Sequence, residues 1–292
     1  MNQNHATSAI APPTQAKSLR PAVDVSIAEV LVRGQRVRYT TGGEGPSVLF
    51  LHGWGLGHHA YRRGLRRLAN LGLRVVAPAL PGFGGTQELP TPEESIAGYS
   101  AWLGDFAAAA RLTSAIVVGH SFGGGVAIRS AVDQPGLIRG MVLLNSIGGR
   151  WQNKGRSVGM GERPWWDWSK HVPGDVAALL SNFGSTMPSV LEDLVPNVVR
   201  NPLGVAKVGR LARNADLATE LAILRSRALP ASVVHSGSDG VVPHSCFDSI
   251  CEQLGVVGEI VPGNHSWPLT HPDVFAHMVH EFACRLPAES RS

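Results

Sequence analysis

Three short stretches carry side chains whose types and order suit the breaking of an acyl bond. Val118-Gly119-His120-Ser121-Phe122-Gly123-Gly124 sets a serine between glycines two residues to either side. The apolar run Ala115-Ile116-Val117-Val118 precedes it and a stretch of helical character follows, so Ser121 falls at the tip of a strand–turn–helix. Glycine on both sides lets strand and helix pass closely, and the turn exposes the hydroxyl. The Phe122 amide, in the first turn of the helix, then points to where a negatively charged oxygen would form.

A serine hydroxyl is a weak nucleophile near neutral pH and needs a base. Pro262-Gly263-Asn264-His265-Ser266 follows the last apolar run and precedes the last helix, which puts His265 on the same sheet edge as Ser121. The base in turn needs a carboxylate to hold its tautomer and stabilise the imidazolium. Gly237-Ser238-Asp239-Gly240, after the strand ending near His235, offers Asp239 on that edge. The rival positions serve less well. Asn145, at the end of the strand before a long insertion, carries no charge, and Asp248 falls inside a predicted helix. Of the twelve histidines, His271, His277 and His280 belong with the last helix as structural or surface residues.

These residues need a scaffold that brings strand ends together. Val23 to Thr40 reads as two antiparallel strands with a turn at Arg33-Gly34-Gln35. Ser47–Leu51, Arg74–Ala77, Ala115–Val118, Met141–Leu144, Ala231–His235 and Val256–Val261 are short apolar runs of the kind buried on both faces of a parallel sheet. Helices over 60–70, 95–110, 123–133, 245–254 and 272–285 alternate with them. The expected class is α/β, a mostly parallel central sheet with helices on both faces. The alternation stops at residues 147–226, which hold no convincing buried strand and have helical stretches near 174–183 and 187–200. An insertion of this size exceeds a plain loop and reads as a helical cap. The expected organisation is a disordered tail over 1–20, a core over 21–146 and 227–288, and the cap over 147–226.

With these pieces in order, the chain from about Val23 to Leu286 resembles the α/β-hydrolase family in its capped single-domain form. The resemblance rests on His52-Gly53-Trp54-Gly55, Pro81-Gly82-Phe83-Gly84, Gly119–Gly124, Gly237-Ser238-Asp239 with Val242-Pro243, and Gly263-Asn264-His265. Their Ser, Asp, His order is the family order. The resemblance implies that the Trp54 amide is the second oxyanion donor beside Phe122 and that its side chain helps line the pocket. Ala79 stands where the family often has a structural Asp.

The chain has 292 residues, 43% apolar and 16% charged, the composition of a globular protein. Its net charge of +4 is mildly basic, and the one local cluster, Arg62, Arg63, Arg66 and Arg67, reads as a solvated helix face. No nucleic-acid motif accompanies it. Three cysteines, an odd number without CxxC spacing, argue against a disulfide framework or a zinc site. His58-His59 lacks a neighbouring carboxylate and makes a poor metal pair. No signal peptide and no integral membrane segment are expected, so the location reads as cytoplasmic. No cofactor and no metal are expected. The oligomeric state is not legible.

The expected activity is a serine hydrolase of the carboxylesterase or lipase-like kind. It would cleave an ester or related acyl bond of an apolar small molecule through an acyl-enzyme. Ser121 in place of Asp argues against epoxide hydrolases and haloalkane dehalogenases of this fold. The alternatives are a C–C bond hydrolase of ring-cleavage products and, from another class, a non-catalytic ligand-binding protein of the same fold. Tryptophans cluster in the insertion and flank the motifs, and Trp165, Trp166 and Trp267 are the expected pocket residues.

Overall fold

The computed structural model describes the backbone at residues 23–153, 156–158 and 187–287. The expected tail at 1–20, the helical stretch at 174–183 and the tryptophans Trp165, Trp166 and Trp168 lie outside the described residues.

The chain opens with a hairpin, β1 (Ser26–Val32) and β2 (Gln35–Gly42). Arg33 and Gly34 link them with φ of 51° and 79°, the doubly left-handed turn that matches strand twist. Then come β3 (Ser47–Leu51), α1 (Arg62–Asn70), β4 (Arg74–Pro78), α2 (Ile96–Ala109), β5 (Ala115–His120), α3 (Phe122–Asp133) and β6 (Ile138–Leu144). After an excursion the sheet resumes with β9 (Ala231–Ser236), α7 (His244–Leu254), β10 (Glu259–Val261), a short α8 (Trp267–Thr270) and α9 (Pro272–Arg285). The eight sheet strands lie in the order β1-β2-β4-β3-β5-β6-β9-β10. Within this sheet only the β1–β2 and β2–β4 pairs are antiparallel, as the fold class led one to expect.

Strand side chains alternate between two cores. Val48 and Phe50 of β3 join Leu65, Leu68, Phe275 and Val279 of α1 and α9 on one face. Leu49 and Leu51 join Leu103 and Phe106 of α2 and Val126 and Ile128 of α3 on the other. Each fully buried side chain of this size contributes roughly 1.5–3 kcal/mol. With both faces covered, the parallel strands are locked in register and their carboxyl ends meet along one edge.

Between β6 and β9 the described chain forms a small hairpin, β7 (Trp151–Asn153) with β8 (Arg156–Val158), and three helices, α4 (Met187–Arg200), α5 (Pro202–Arg213) and α6 (Ala218–Ser226). The expectation here was of no convincing buried strand, and this hairpin stands apart from the main sheet. It is a local pair outside the main sheet, too short to leave an apolar run. No described helix is long and apolar enough to cross a membrane. The arginine cluster on α1 is balanced by acids: Arg62 pairs with Glu192, Arg66 with Asp24 and Arg67 with Asp273.

Candidate active site

Ser121 sits between β5 and α3 with φ 54° and ψ −116°, a strained conformation for a non-glycine residue that costs on the order of 1–3 kcal/mol. The glycines around it are dictated by contact. A Cβ on Gly119 would lie 2.5 Å from the Gly123 carbonyl oxygen and the Gly124 Cα, and one on Gly123 2.2 Å from the Leu51 carbonyl oxygen. Gly124 is equally constrained, by Ser146 Oγ at 2.1 Å. The strain is held because the Ser121 amide donates to Leu144 at 3.0 Å and its carbonyl accepts from Gly124 and Ile147.

His265 and Asp239 form a hydrogen-bonded pair at the ends of β10 and β9, His265 Nδ1 to Asp239 Oδ2 at 2.8 Å. The other carboxylate oxygen accepts from the Val241 and Val242 amides at 2.8 and 2.9 Å, and the Asp239 side chain is fully buried. Burial alone would push this carboxyl up. The charge and hydrogen bond of His265, with the Val242 amide, outweigh it and hold Asp239 below the ordinary carboxylate range. It is therefore ionised at neutral pH and fixes the proton of the neutral imidazole on Nδ1, leaving Nε2 as the proton acceptor.

His120 ties this pair to the serine strand. Its Nε2 donates to the His265 carbonyl at 2.9 Å, and the two rings lie 4.9 Å apart. Its Nδ1 accepts from Tyr61 Oη at 2.7 Å, and Tyr61 Oη accepts from the Gly53 amide at 3.3 Å. Burial lowers His120 to about 3, so it is neutral and serves as a strut. Asn145, the uncharged residue at the alternative acid position, is a second strut. Its Nδ2 donates to Ser236 Oγ and reaches the His265 carbonyl at 3.3 Å, while its Oδ1 accepts from the Ser236 amide. Sequence reasoning missed Tyr61, His120 and Asn145 as supports. Only His120 carried a signal, its place beside Ser121.

The loop after β3 lies against the serine: a Cβ on Gly53 would stand 3.4 Å from Ser121 Cβ. His52 braces it. Nε2 accepts from the Leu80 amide at 3.0 Å, which leaves Nδ1 to donate to the Gly53 carbonyl at 2.9 Å. Burial lowers His52 to about 4. Further along, His58 is buried, with Nδ1 2.8 Å from Thr40 Oγ1, and burial lowers it to about 3. Two side chains of α4 grip the same loop. Asp193 Oδ2 accepts from Gly57 and Ala60 at 3.0 and 2.7 Å. Asn197 Nδ2 donates to the Gly55 and Leu56 carbonyls, and its Oδ1 accepts from Gly84.

The expected oxyanion donors are therefore on the two segments that flank Ser121, Phe122 at the start of α3 and Trp54 in the loop. The Phe122 ring is fully buried, edge-on to Tyr99 at 5.0 Å. The Trp54 indole is half exposed; its Nε1 donates to the Val205 carbonyl of α5 at 2.6 Å and its ring covers Gly209. It thus pins α5 to the loop. Trp267 departs from expectation. It is fully buried in the core shared with Phe275 and Val279, because the chain turns into α8 directly after Ser266 and carries the indole under the sheet. Trp165 and Trp166 lie outside the described residues.

The chain resembles proteins of several named activities. Over 271 residues it is 28% identical to a "Putative non-heme haloperoxidase" of Mycobacterium phage D29, covering 86% of this chain and 92% of that one. Over 281 residues it is 24% identical to the 2-hydroxymuconate semialdehyde hydrolase of Pseudomonas putida, covering 89% and 95%. Its fold matches the meta-cleavage product hydrolase of Pseudomonas fluorescens IP01 with a TM-score of 0.70 at 21% identity, over 88% of this chain and 97% of that one. The alpha/beta hydrolase family model matches residues 48–278, which span the serine turn, the acid and the histidine loop, and the chain belongs to that family.

Proposed function

We propose that this hydrolase cleaves an ester or related acyl bond of an apolar small molecule with Ser121 as nucleophile, His265 as general base and Asp239 as its orienting acid. The observation that carries the reading is the buried His265–Asp239 pair at 2.8 Å, joined through His120 to the strained turn that presents Ser121. In this reading Ser121 Oγ attacks the carbonyl carbon while His265 Nε2 takes its proton. The Phe122 and Trp54 amides receive the oxyanion. The C–O bond to the leaving group then breaks, the leaving oxygen takes the proton from His265, and an acyl-enzyme remains. His265 next deprotonates water, which attacks the acyl carbon and releases the acid with Ser121 restored. The segment between β6 and β9 acts as the cap over this edge.

A second reading is hydrolysis of a carbon–carbon bond in a ring-cleavage product such as a vinylogous diketone, and the resemblance to the 2-hydroxymuconate semialdehyde hydrolase of Pseudomonas putida favours keeping it. A panel of p-nitrophenyl acetate, butyrate and hexanoate beside a vinylogous diketone separates the two. Butyrate and hexanoate turnover several-fold above acetate supports the first reading. Each added methylene gains at most about 0.8 kcal/mol, roughly four-fold. Turnover confined to the diketone supports the second. In either case Ser121→Ala is expected to lose activity on the order of a million-fold while unfolding at the wild-type temperature.

A further inference from the structure

Helix α4 is built inside out. Leu191, Val195 and Val199, spaced four apart, are exposed at 44%, 49% and 74%. Asp193 and Asn197, also four apart and so on a common face, are buried at 3% and 6% exposure. A helix that turns an acid and an amide inward is not seated on the core by apolar contact alone. Buried polar groups cost free energy unless their partners are in place, so the partners decide where the helix sits. Apart from the Gly84 amide, the loop groups they grip, at Gly55, Leu56, Gly57 and Ala60, follow directly on Trp54. The loop is shaped for the grip. A Cβ on Gly57 would lie 3.0 Å from Asp193 Oδ1 and one on Gly55 3.2 Å from Leu194. On the far side of Trp54, Gly53 is held by His52 and Tyr61, so the Trp54 amide is suspended between the core and the cap.

We infer that Asp193 and Asn197 are positioning residues for the oxyanion loop, so that the seating of α4 sets where the Trp54 amide points. This rests on the proposed serine-hydrolase reading and extends it: the cap completes the oxyanion site and does more than cover it. When α4 lifts, the amides of Gly57 and Ala60 lose their acceptor, the loop relaxes, and a bound substrate meets one donor in place of two. An oxyanion donor is worth about 10²–10³ in rate, and a misplacement of about 1 Å costs about 10².

The test compares wild type, Asp193→Ala, Asp193→Asn and Gly57→Ala, the last of which presses on the clasp from the loop side. Three quantities are read: the rate of covalent labelling by a fluorophosphonate, kcat and KM on p-nitrophenyl butyrate, and the thermal unfolding midpoint. The expected result is that labelling and kcat fall together by about 10- to 100-fold in Asp193→Ala and Gly57→Ala, with KM within about two-fold of wild type. Asp193→Asn keeps one acceptor and recovers most of the loss. The clasp is overturned if folded variants label and turn over as wild type does, or if the loss lies in KM, or if it only tracks the unfolded fraction. Should Asp193→Ala fail to fold, Asp193→Asn and Gly57→Ala decide between these outcomes. A folded wild type that takes no label, like Ser121→Ala, would overturn the serine-hydrolase reading itself.

Discussion

The two halves of the site are held in different ways. On the triad half, Asp239 and His265 stand 26 residues apart on neighbouring strand ends, and their loops are fixed by the sheet, Asn145 and amides two or three residues from Asp239. On the oxyanion half, the loop after β3 takes its shape from Asp193, 136 residues from Gly57, and from Val205, 151 residues from Trp54. The first half is tied to the sheet by its bonds, with the Asp239 side chain fully buried. The second is shared between the sheet edge and helices α4 and α5, of which α5 packs into the same core as α2 and α3. In the proposed reading the base is held by the sheet, whereas the oxyanion loop also takes its hold from α4 and α5.

The sharpest way to isolate the triad half is Asp239→Asn. It preserves size and the Val241 and Val242 contacts but offers His265 Nδ1 the wrong partner, and kcat is expected to fall roughly 10⁴-fold with KM little changed in steady-state assays. An effect on KM alone would assign Asp239 to substrate binding. Tyr61→Phe cuts a side-chain bridge between the halves, Gly53 to Tyr61 to His120. It leaves a buried amide and a buried imidazole nitrogen without a partner, so chemical denaturation should show a loss of about 1–3 kcal/mol. Wild-type stability would mean that the halves are joined elsewhere.

Acid should weaken both halves, through their buried histidines. His52 on the oxyanion half and His120 on the triad half titrate near 4 and 3 in the folded chain because burial disfavours their charge, against about 6.5 when unfolded. Between those values the unfolded chain binds protons that the folded chain does not. Stability is therefore full above pH of about 6.5 and falls as pH drops towards 4, by up to about 1.4 kcal/mol per pH unit for each histidine. Asp239, held below its unfolded value, adds its own loss only as pH falls below about 4. Urea midpoints from pH 7 down to 4.5 would show the decline, and a constant midpoint over that range would contradict the assignment.

What the sequence disclosed follows this division. Gly119, Ser121 and Gly123 were legible because the constraints on them are local: a strand, a turn and a helix within a few residues. Asp239 and His265 were legible because short apolar runs marked the strand ends on which they sit. Asp193 and Asn197 left no signal, since a polar pair on an otherwise apolar helix reads as its wet face until the fold brings the loop against it. Trp267 misled for the opposite reason. Two residues from His265 in sequence, it begins a helix that turns it under the sheet, where its apolar area is worth more than at a pocket wall. The β7–β8 hairpin, three residues a side, is held by local pairing and left no apolar run.

In the proposed mechanism Ser121 is the nucleophile, and His265 and Asp239 activate it. The most direct measurement is fluorophosphonate labelling at neutral pH followed by peptide mapping by mass spectrometry. One adduct per chain is predicted, on the peptide bearing Ser121, absent in Ser121→Ala and slowed by orders of magnitude in Asp239→Asn. An adduct on any other residue, or labelling of wild type no faster than of Ser121→Ala, would exclude Ser121 as the nucleophile.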